Sequence, residues 1–224
     1  MSDLRLVVFD VDGTLVDSQA DILSAMQGAF DAVAIPVPSQ EDILGIVGLS
    51  LNVAMPRLAP TAAREVHHTL EEAYKAAYMQ LRATRGTVQS SPLYPGAREV
   101  LDTLSSQDHT LLGVATGKSR RGLDKLLEGH GLQDMFVTEQ VADFHPSKPH
   151  PSMLHAALQE SGVEGARAVM VGDTSYDMEM ARAAGIAAIG VSWGYHDRAA
   201  LAAADVVIDA FSALPQALEQ ILGN

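Results

Sequence analysis

"RLVVFDVDGTLVDS", residues 5–18, runs from an apolar stretch straight into Asp10 and Asp12, with one valine between them and Gly13 and Thr14 behind. The Val, Leu and Phe content of 4–10 predicts a buried strand. A buried strand that ends in paired carboxylates is unusual, because the two like charges repel and each resists desolvation. Something elsewhere in the chain must offset that cost.

From about 17 to 85 the pattern is helical, with no strand signal. "SQED" at 39–42 reads as a capping box with Asp42 in the place of Glu. "TAAREVHHTLEEAYKAAYMQLRA", 61–83, reads as one long amphipathic helix with Thr61 as N-cap. "RGTVQSSPLYPG", 85–96, supplies Gly, Ser and Pro and reads as a linker.

Strand and helix then alternate. Strands are expected at 109–116, near Phe136–Val137, at 168–173, at 186–192 and at 206–209. Helices are expected at 96–106, from Ser119, from Pro151, up to Gly185, and from Ser212. Such alternation implies an α/β, Rossmann-like parallel sheet with helices on both faces. The expected division is a discontinuous core of 1–16 and 91–224, with 17–90 inserted as an all-α cap. Ligands of such sheets bind at the carboxyl ends of strands. Three predicted strands end in polar residues there: Asp10 and Asp12, Thr116, and Asp173.

Composition narrows the class. The chain has 224 residues and is 47% apolar, which permits a large core. It holds no cysteine, which excludes disulfides, thiolate metal sites and cysteine nucleophiles and fits a reducing, cytoplasmic setting. Asp3 and Arg5 precede a very short apolar run, so no signal peptide is read. No apolar run reaches the roughly 20 residues of a membrane span. With 28 acidic and 15 basic residues the net charge is −13, which argues against a nucleic-acid partner.

Asp10, Asp173 and Asp177 offer hard oxygen ligands without Cys or a His cluster, which points to Mg²⁺. Asp173 and Asp177 are four apart, on one side of a first helical turn. A carboxylate-held Mg²⁺ invites phosphoryl chemistry. In "ATGKSRRGL", 115–123, Thr116 offers a hydroxyl and Gly117 an unhindered N–H at a helix start that favours anions. In "HPSKPHP", 145–151, prolines flank Lys148 and hold its backbone. One carboxylate could attack phosphorus and another could protonate the leaving oxygen.

"DVDGTLVDS", "ATGK", "SKPHP" and "GDTSYDMEMARAAG" together resemble the four ordered motifs of the haloacid-dehalogenase superfamily. The likeness is to its phosphoglycolate-phosphatase-like branch, with a helical cap after the first motif, over nearly the whole chain. The resemblance implies Asp10 as nucleophile, Asp12 as general acid/base, and Thr116 and Lys148 as phosphate ligands. It implies Mg²⁺ held by Asp173, the Asp10 side chain and the Asp12 backbone carbonyl, with Asp177 a ligand or a support for one. Gly117 stands where the family often has asparagine. An aspartate at position 12 argues against carbon–halogen cleavage. "GLS", 48–50, resembles the cap loop that faces the active site.

The function so implied is a Mg²⁺-dependent phosphatase acting on a small phosphorylated molecule through an aspartyl-phosphate. A phosphomutase of the same fold and a non-enzymatic phospho-aspartate signalling protein are the alternatives. The first motif also resembles a calcium loop, but a strand precedes it and Leu15 and Asp21 fall where Gly and Glu are needed. Asp17 and Ser18 read as helix caps, and Lys118, Arg120 and Arg121 as a solvated first turn in which Lys118 could steer an anion. His145 and His150 read as loop surface, and adjacent His67 and His68 cannot share a metal. Arg57, Tyr74, Lys75, Tyr78 and Arg82 in the cap could read the substrate, although each residue taken singly reads as solvated face or core. Monomer and homodimer stay open.

Overall fold

The computed structural model describes residues 4–223. Six strands form one parallel sheet in the order β3-β2-β1-β4-β5-β6: β1 (Arg5–Phe9), β2 (Thr110–Thr116), β3 (Thr138–Val141), β4 (Ala168–Gly172), β5 (Ala187–Val191) and β6 (Val206–Ile208). The strand that carries Asp10 lies in the middle, paired with β2 on one side and β4 on the other. This central position puts the ends of β1, β2 and β4 side by side, although more than a hundred residues separate the first two in sequence.

The period of two sorts side chains to opposite faces. Val7 and Phe9 of β1 and Val169 and Val171 of β4 join a cluster with Leu101, Leu126 and Leu218. Leu6 and Val8, with Ala168 and Met170, join another with Met153, Leu154 and Met178. The first face is covered by α6 (Ala97–Ser105), α7 (Arg120–His130) and α10 (Leu214–Leu222). The second is covered by α8 (Ser152–Ser161) and α9 (Ser175–Ala184). Buried on both faces, β1 and β4 read as continuous apolar runs.

Between β1 and β2 the chain passes through α1 (Gln19–Ala32), α2 (Gln40–Leu44), α3 (Leu51–Leu58), α4 (Arg64–Arg85) and α5 (Thr87–Ser90). These helices hold an apolar cluster of their own, with Ile22, Met26, Phe30, Met55 and Leu70 at its centre. Among the described residues no helix is long and apolar enough to cross a membrane.

Three boundaries differ from expectation. The strand expected at Phe136–Val137 lies at Thr138–Val141, paired from Gly113↔Thr138 to Thr116↔Val141. It is an edge strand, where polar residues are tolerated: Thr138 and Gln140 are buried but both bond Glu160 Oε2. The long helix starts at Arg64, with Ala63 at the N-cap position and no side-chain capping bond. Thr61 sits in a turn closed by Ala62 N–H donating to the Ala59 carbonyl. The expected linker contains the short α5. At α2, Ser39 does cap, accepting from Asp42 N–H at 3.1 Å, and its hydroxyl donates to Asp42 Oδ2 at 2.6 Å.

Candidate active site

The chain leaves β1 in a tight turn. Gly13 N–H donates to the Val16 carbonyl and Val16 N–H to the Val11 carbonyl. Gly13 takes φ +82°, and a β-carbon on it would stand 2.2 Å from Asp173 Oδ2. Gly194 approaches Asp173 as closely from the loop after β5. Only glycines let backbone pass so near a carboxylate. The turn therefore packs the first motif against Asp173 at the end of β4.

Asp10, Asp173 and Asp177 are fully buried, each with a carboxylate oxygen within 4.8 Å of the others'. Lys148 Nζ enters this cluster, 2.9 Å from Asp10 Oδ1 and 2.7 Å from Asp177 Oδ1. Lys148 is the cation held against Asp10, whose two oxygens are both buried. Thr14 Oγ1 donates to Asp173 Oδ1 at 2.8 Å and Tyr195 N–H to Oδ2 at 2.8 Å. Asp177 also shapes the backbone. Its Oδ2 accepts from the Thr174 hydroxyl at 2.7 Å and the Thr174 N–H at 3.1 Å, closing the capping box that starts α9.

One ammonium facing three carboxylates leaves the cluster electron-rich. Burial, with the Asp177 charge added, pushes Asp10 up to about 7 against the pull of Lys148. Burial and the charges of Asp10 and Asp177 hold Asp173 well above the usual carboxylate range. Burial works against the Lys148 charge, but Asp10 and Asp177 outweigh it and raise its pKa. Three buried carboxylates whose hard oxygen donors converge, with one ammonium among them, fit a divalent cation such as Mg²⁺.

Asp12 lies outside this cluster; the expected metal contact from this residue is its backbone carbonyl. The carboxylate opens to a cavity of about 650 Å³ between the sheet edge and α4. Oδ2 lies 2.7 Å from Lys118 Nζ, and Oδ1 accepts a short hydrogen bond from Ser18 Oγ. Thr116 and Gly117 line the same cavity at the end of β2, and Thr116 Oγ1 accepts from Lys118 N–H at 3.2 Å. Both carboxylates of the first motif line this cavity, each beside its own lysine: Asp10 among the acids with Lys148, Asp12 with Lys118 and Ser18.

The loop Gly48–Ser50 is buried against this edge. Ser50 N–H donates to Ser147 Oγ at 2.9 Å, one residue before Lys148. Tyr176 hydroxyl donates to the Gly45 carbonyl at 2.9 Å, and Arg57 lies on Tyr176, outside the cavity wall. Lys75, Tyr74, Tyr78 and Arg82 do line the cavity. Lys75 is tied to Glu72 at 2.8 Å on the exposed side.

Three side chains differ from expectation. Lys118 is not a solvated first-turn charge: it is 9% exposed and paired with Asp12. Ser18 stands at the start of α1 but makes no capping bond; its hydroxyl serves Asp12 and the Tyr195 hydroxyl at 3.1 Å. His145 is half-buried rather than loop surface, with its ring nitrogens 2.8 Å from Ser152 Oγ and Gln140 Oε1.

The family model described as haloacid dehalogenase-like hydrolase matches residues 7–191. A probable phosphatase IndB of Dickeya dadantii (strain 3937) is 37% identical, covering 97% of this chain and 94% of its own length. A phosphoglycolate phosphatase of Vibrio parahaemolyticus is 31% identical over 95% of each chain. The crystal structure of a β-phosphoglucomutase from Clostridium difficile superposes with TM-score 0.82 over 99% of this chain and all of that one. At 18% identity, that likeness speaks for the fold alone.

Proposed function

Since the chain belongs to the haloacid dehalogenase-like hydrolases, and its relatives are named phosphatases, we propose that it is a Mg²⁺-dependent phosphatase of small phosphomonoesters that works through an aspartyl-phosphate on Asp10. Phosphoglycolate-like acids and sugar phosphates are the substrate classes. The observation that carries this reading is the division of labour inside the first motif. Asp10 is buried in the acid cluster beside Lys148, and Asp12, two residues on, lies outside that cluster on the cavity with Lys118 on its carboxylate.

The phosphoryl group would lie between Asp10, Thr116, the Gly117 N–H and Lys148. The Asp10 carboxylate attacks phosphorus while the ester P–O bond breaks, and Asp12 gives its proton to the leaving oxygen. Asp12 then takes a proton from water as the water oxygen attacks phosphorus. The bond to Asp10 breaks, inorganic phosphate leaves, and both carboxylates return to their starting states. Lys148 supplies fixed positive charge to the phosphoryl oxygens. Mg²⁺, held by Asp10, Asp173 and the Asp12 backbone carbonyl with Asp177 beside them, would supply charge neutralisation among the acids.

Residues 17–90 act as a cap in this reading, and the Gly48–Ser50 loop seals the cleft from water during the first transfer. Support comes from the separate apolar cluster of these helices and from the burial of the loop on the sheet edge.

The test is phosphate release from p-nitrophenyl phosphate and a panel of metabolite phosphates, with Mg²⁺ and with EDTA, for wild type and Asp10→Asn. Mg²⁺-dependent release that the substitution abolishes is expected. A rearranged phosphate ester in place of free phosphate would identify a mutase, and a phosphoprotein that persists for hours would identify a signalling module.

A further inference from the structure

The chain is strongly acidic, yet five of its 15 basic residues and only three of its 28 acidic ones line the cavity. Two of those cations are set apart by geometry. The Lys118 ammonium lies 5.2 Å from the centre of the Tyr78 ring, and the Arg82 guanidinium lies 5.3 Å from the same ring. Lys118 is paired with Asp12. Arg82 has one tie, from Nη1 to the Gly122 carbonyl at 3.0 Å, while its Nε and Nη2 are buried with no hydrogen-bond partner.

A buried guanidinium edge without an acceptor is costly, because its desolvation goes uncompensated. A second cation, Lys118, stands on the same ring, so two like charges face the cavity together. An anion reaching both groups would relieve the two costs together. Arginine's planar fork suits a carboxylate or phosphate, which can accept from two of its N–H groups at once.

We propose that Arg82 and Lys118 form a second anion subsite, which binds a carboxylate or phosphate carried on the leaving-group side of the substrate. The proposal rests on the cavity's being a phosphatase site with Asp12 at the leaving oxygen. From that oxygen the path runs through Asp12 to Lys118, 2.7 Å further, and on to the second anion. Hydrogen-bond lengths then place that anion within roughly 8 Å of the scissile oxygen. Short phosphorylated hydroxy acids and small bisphosphates meet this limit. Monophosphates with an uncharged body, sugar and nucleoside monophosphates alike, do not, which narrows the substrate classes named above. The aromatic face of Tyr78 packs the carbon skeleton between the two ends.

Binding of substrate-like phosphonates tests this without turnover. Calorimetry in Mg²⁺ buffer compares propylphosphonate, 3-phosphonopropionate and 1,3-propanediphosphonate on wild type, Arg82→Met and Arg82→Lys. Wild type is expected to bind at least one of the doubly anionic ligands roughly 10- to 100-fold more tightly than propylphosphonate, the scale of a charged hydrogen bond. The tighter of the two names the anion as carboxylate or phosphate. Arg82→Met should reduce that ratio to about one, and Arg82→Lys should restore part of it. Loss of the Gly122 tie weakens all ligands alike and leaves the ratio untouched, so a purely structural role for Arg82 predicts an unchanged ratio and overturns the proposal. Equal binding of all three ligands by wild type overturns it too. Release of phosphate from p-nitrophenyl phosphate, measured on wild type alongside, reports separately on the phosphatase reading.

Discussion

The carbonyl oxygen of Gly48 lies where it would stand 2.7 Å from a β-carbon placed on Gly117, and the Leu49 carbonyl would stand 3.0 Å from the same atom. The obstructing atoms are backbone, so no side chain can swing aside to make room. Position 117 can therefore carry no side chain while the 48–50 loop rests on the sheet edge. Gly117→Ala is expected to hold that loop off its seat and lower kcat/KM by roughly 10- to 100-fold, the scale of an ångström-sized misplacement. Fold stability should change little. Steady-state kinetics and a thermal melt on the same preparation check both halves; wild-type kinetics would refute the steric argument.

Asp10→Asn moves function and stability in opposite directions. The carboxylate is buried among acids and costs free energy when ionised. Its neutral isostere should raise Tm by several degrees in EDTA at about pH 8, where Asp10 is ionised. The same substitution should abolish phosphate release and shrink the Tm gain from Mg²⁺. A less stable variant in EDTA would mean that the Lys148 attraction, rather than burial and repulsion, governs the site.

The parallel sheet and its helical insert were legible because buried strands such as 5–9 and 168–172 are continuous apolar runs broken by helix starts. The four motifs were legible because chemistry confines their residue types and order. What escaped was set by contacts that the local residue pattern does not display. The edge strand at 138–141 is polar and was displaced toward the neighbouring Phe136, because Glu160, far along the chain, satisfies Thr138 and Gln140. Lys118 looks like a surface charge until the first-motif turn brings Asp12 to it. Ser18 has the residue type and position of a helix cap, and only the hairpin-like turn at 13–16 shows that its hydroxyl bonds Asp12 instead.

Ser18 positions Asp12 and should matter in proportion to how much the leaving group needs a proton. Ser18→Ala removes the hydroxyl that holds Asp12 Oδ1 and leaves Lys118 on Oδ2. For an alkyl phosphate, whose alkoxide leaves only when protonated, kcat should fall roughly tenfold or more, within the range ascribed to general acid catalysis. For p-nitrophenyl phosphate, whose phenolate leaves unaided, the fall should be several-fold smaller. An equal loss on both substrates would assign Ser18 to packing rather than to orienting the acid.

The acid cluster also ties metal affinity to pH with a definite sign. Asp10 is raised from 3.8 to about 7 in the metal-free fold. Between those values the folded state keeps a proton that the unfolded chain releases. The stability that Asp10 contributes is thus complete below the lower value and lost as pH rises through the upper one. A divalent cation binds the ionised carboxylate, so its affinity climbs over the same interval and then levels off. Thermal melts of wild type in EDTA and in saturating Mg²⁺ should show a larger metal-induced rise at about pH 8 than at about pH 5.5. Subtracting the matching Asp10→Asn melts removes the titration of groups remote from the cluster; Asp173, which the Asp10 charge pushes up, adds to the remainder with the same sign. The remainder, in EDTA, should fall as pH increases. A remainder that rises would place the Asp10 pKa below its ordinary value and make Lys148, already 2.9 Å away, sufficient counter-charge on its own.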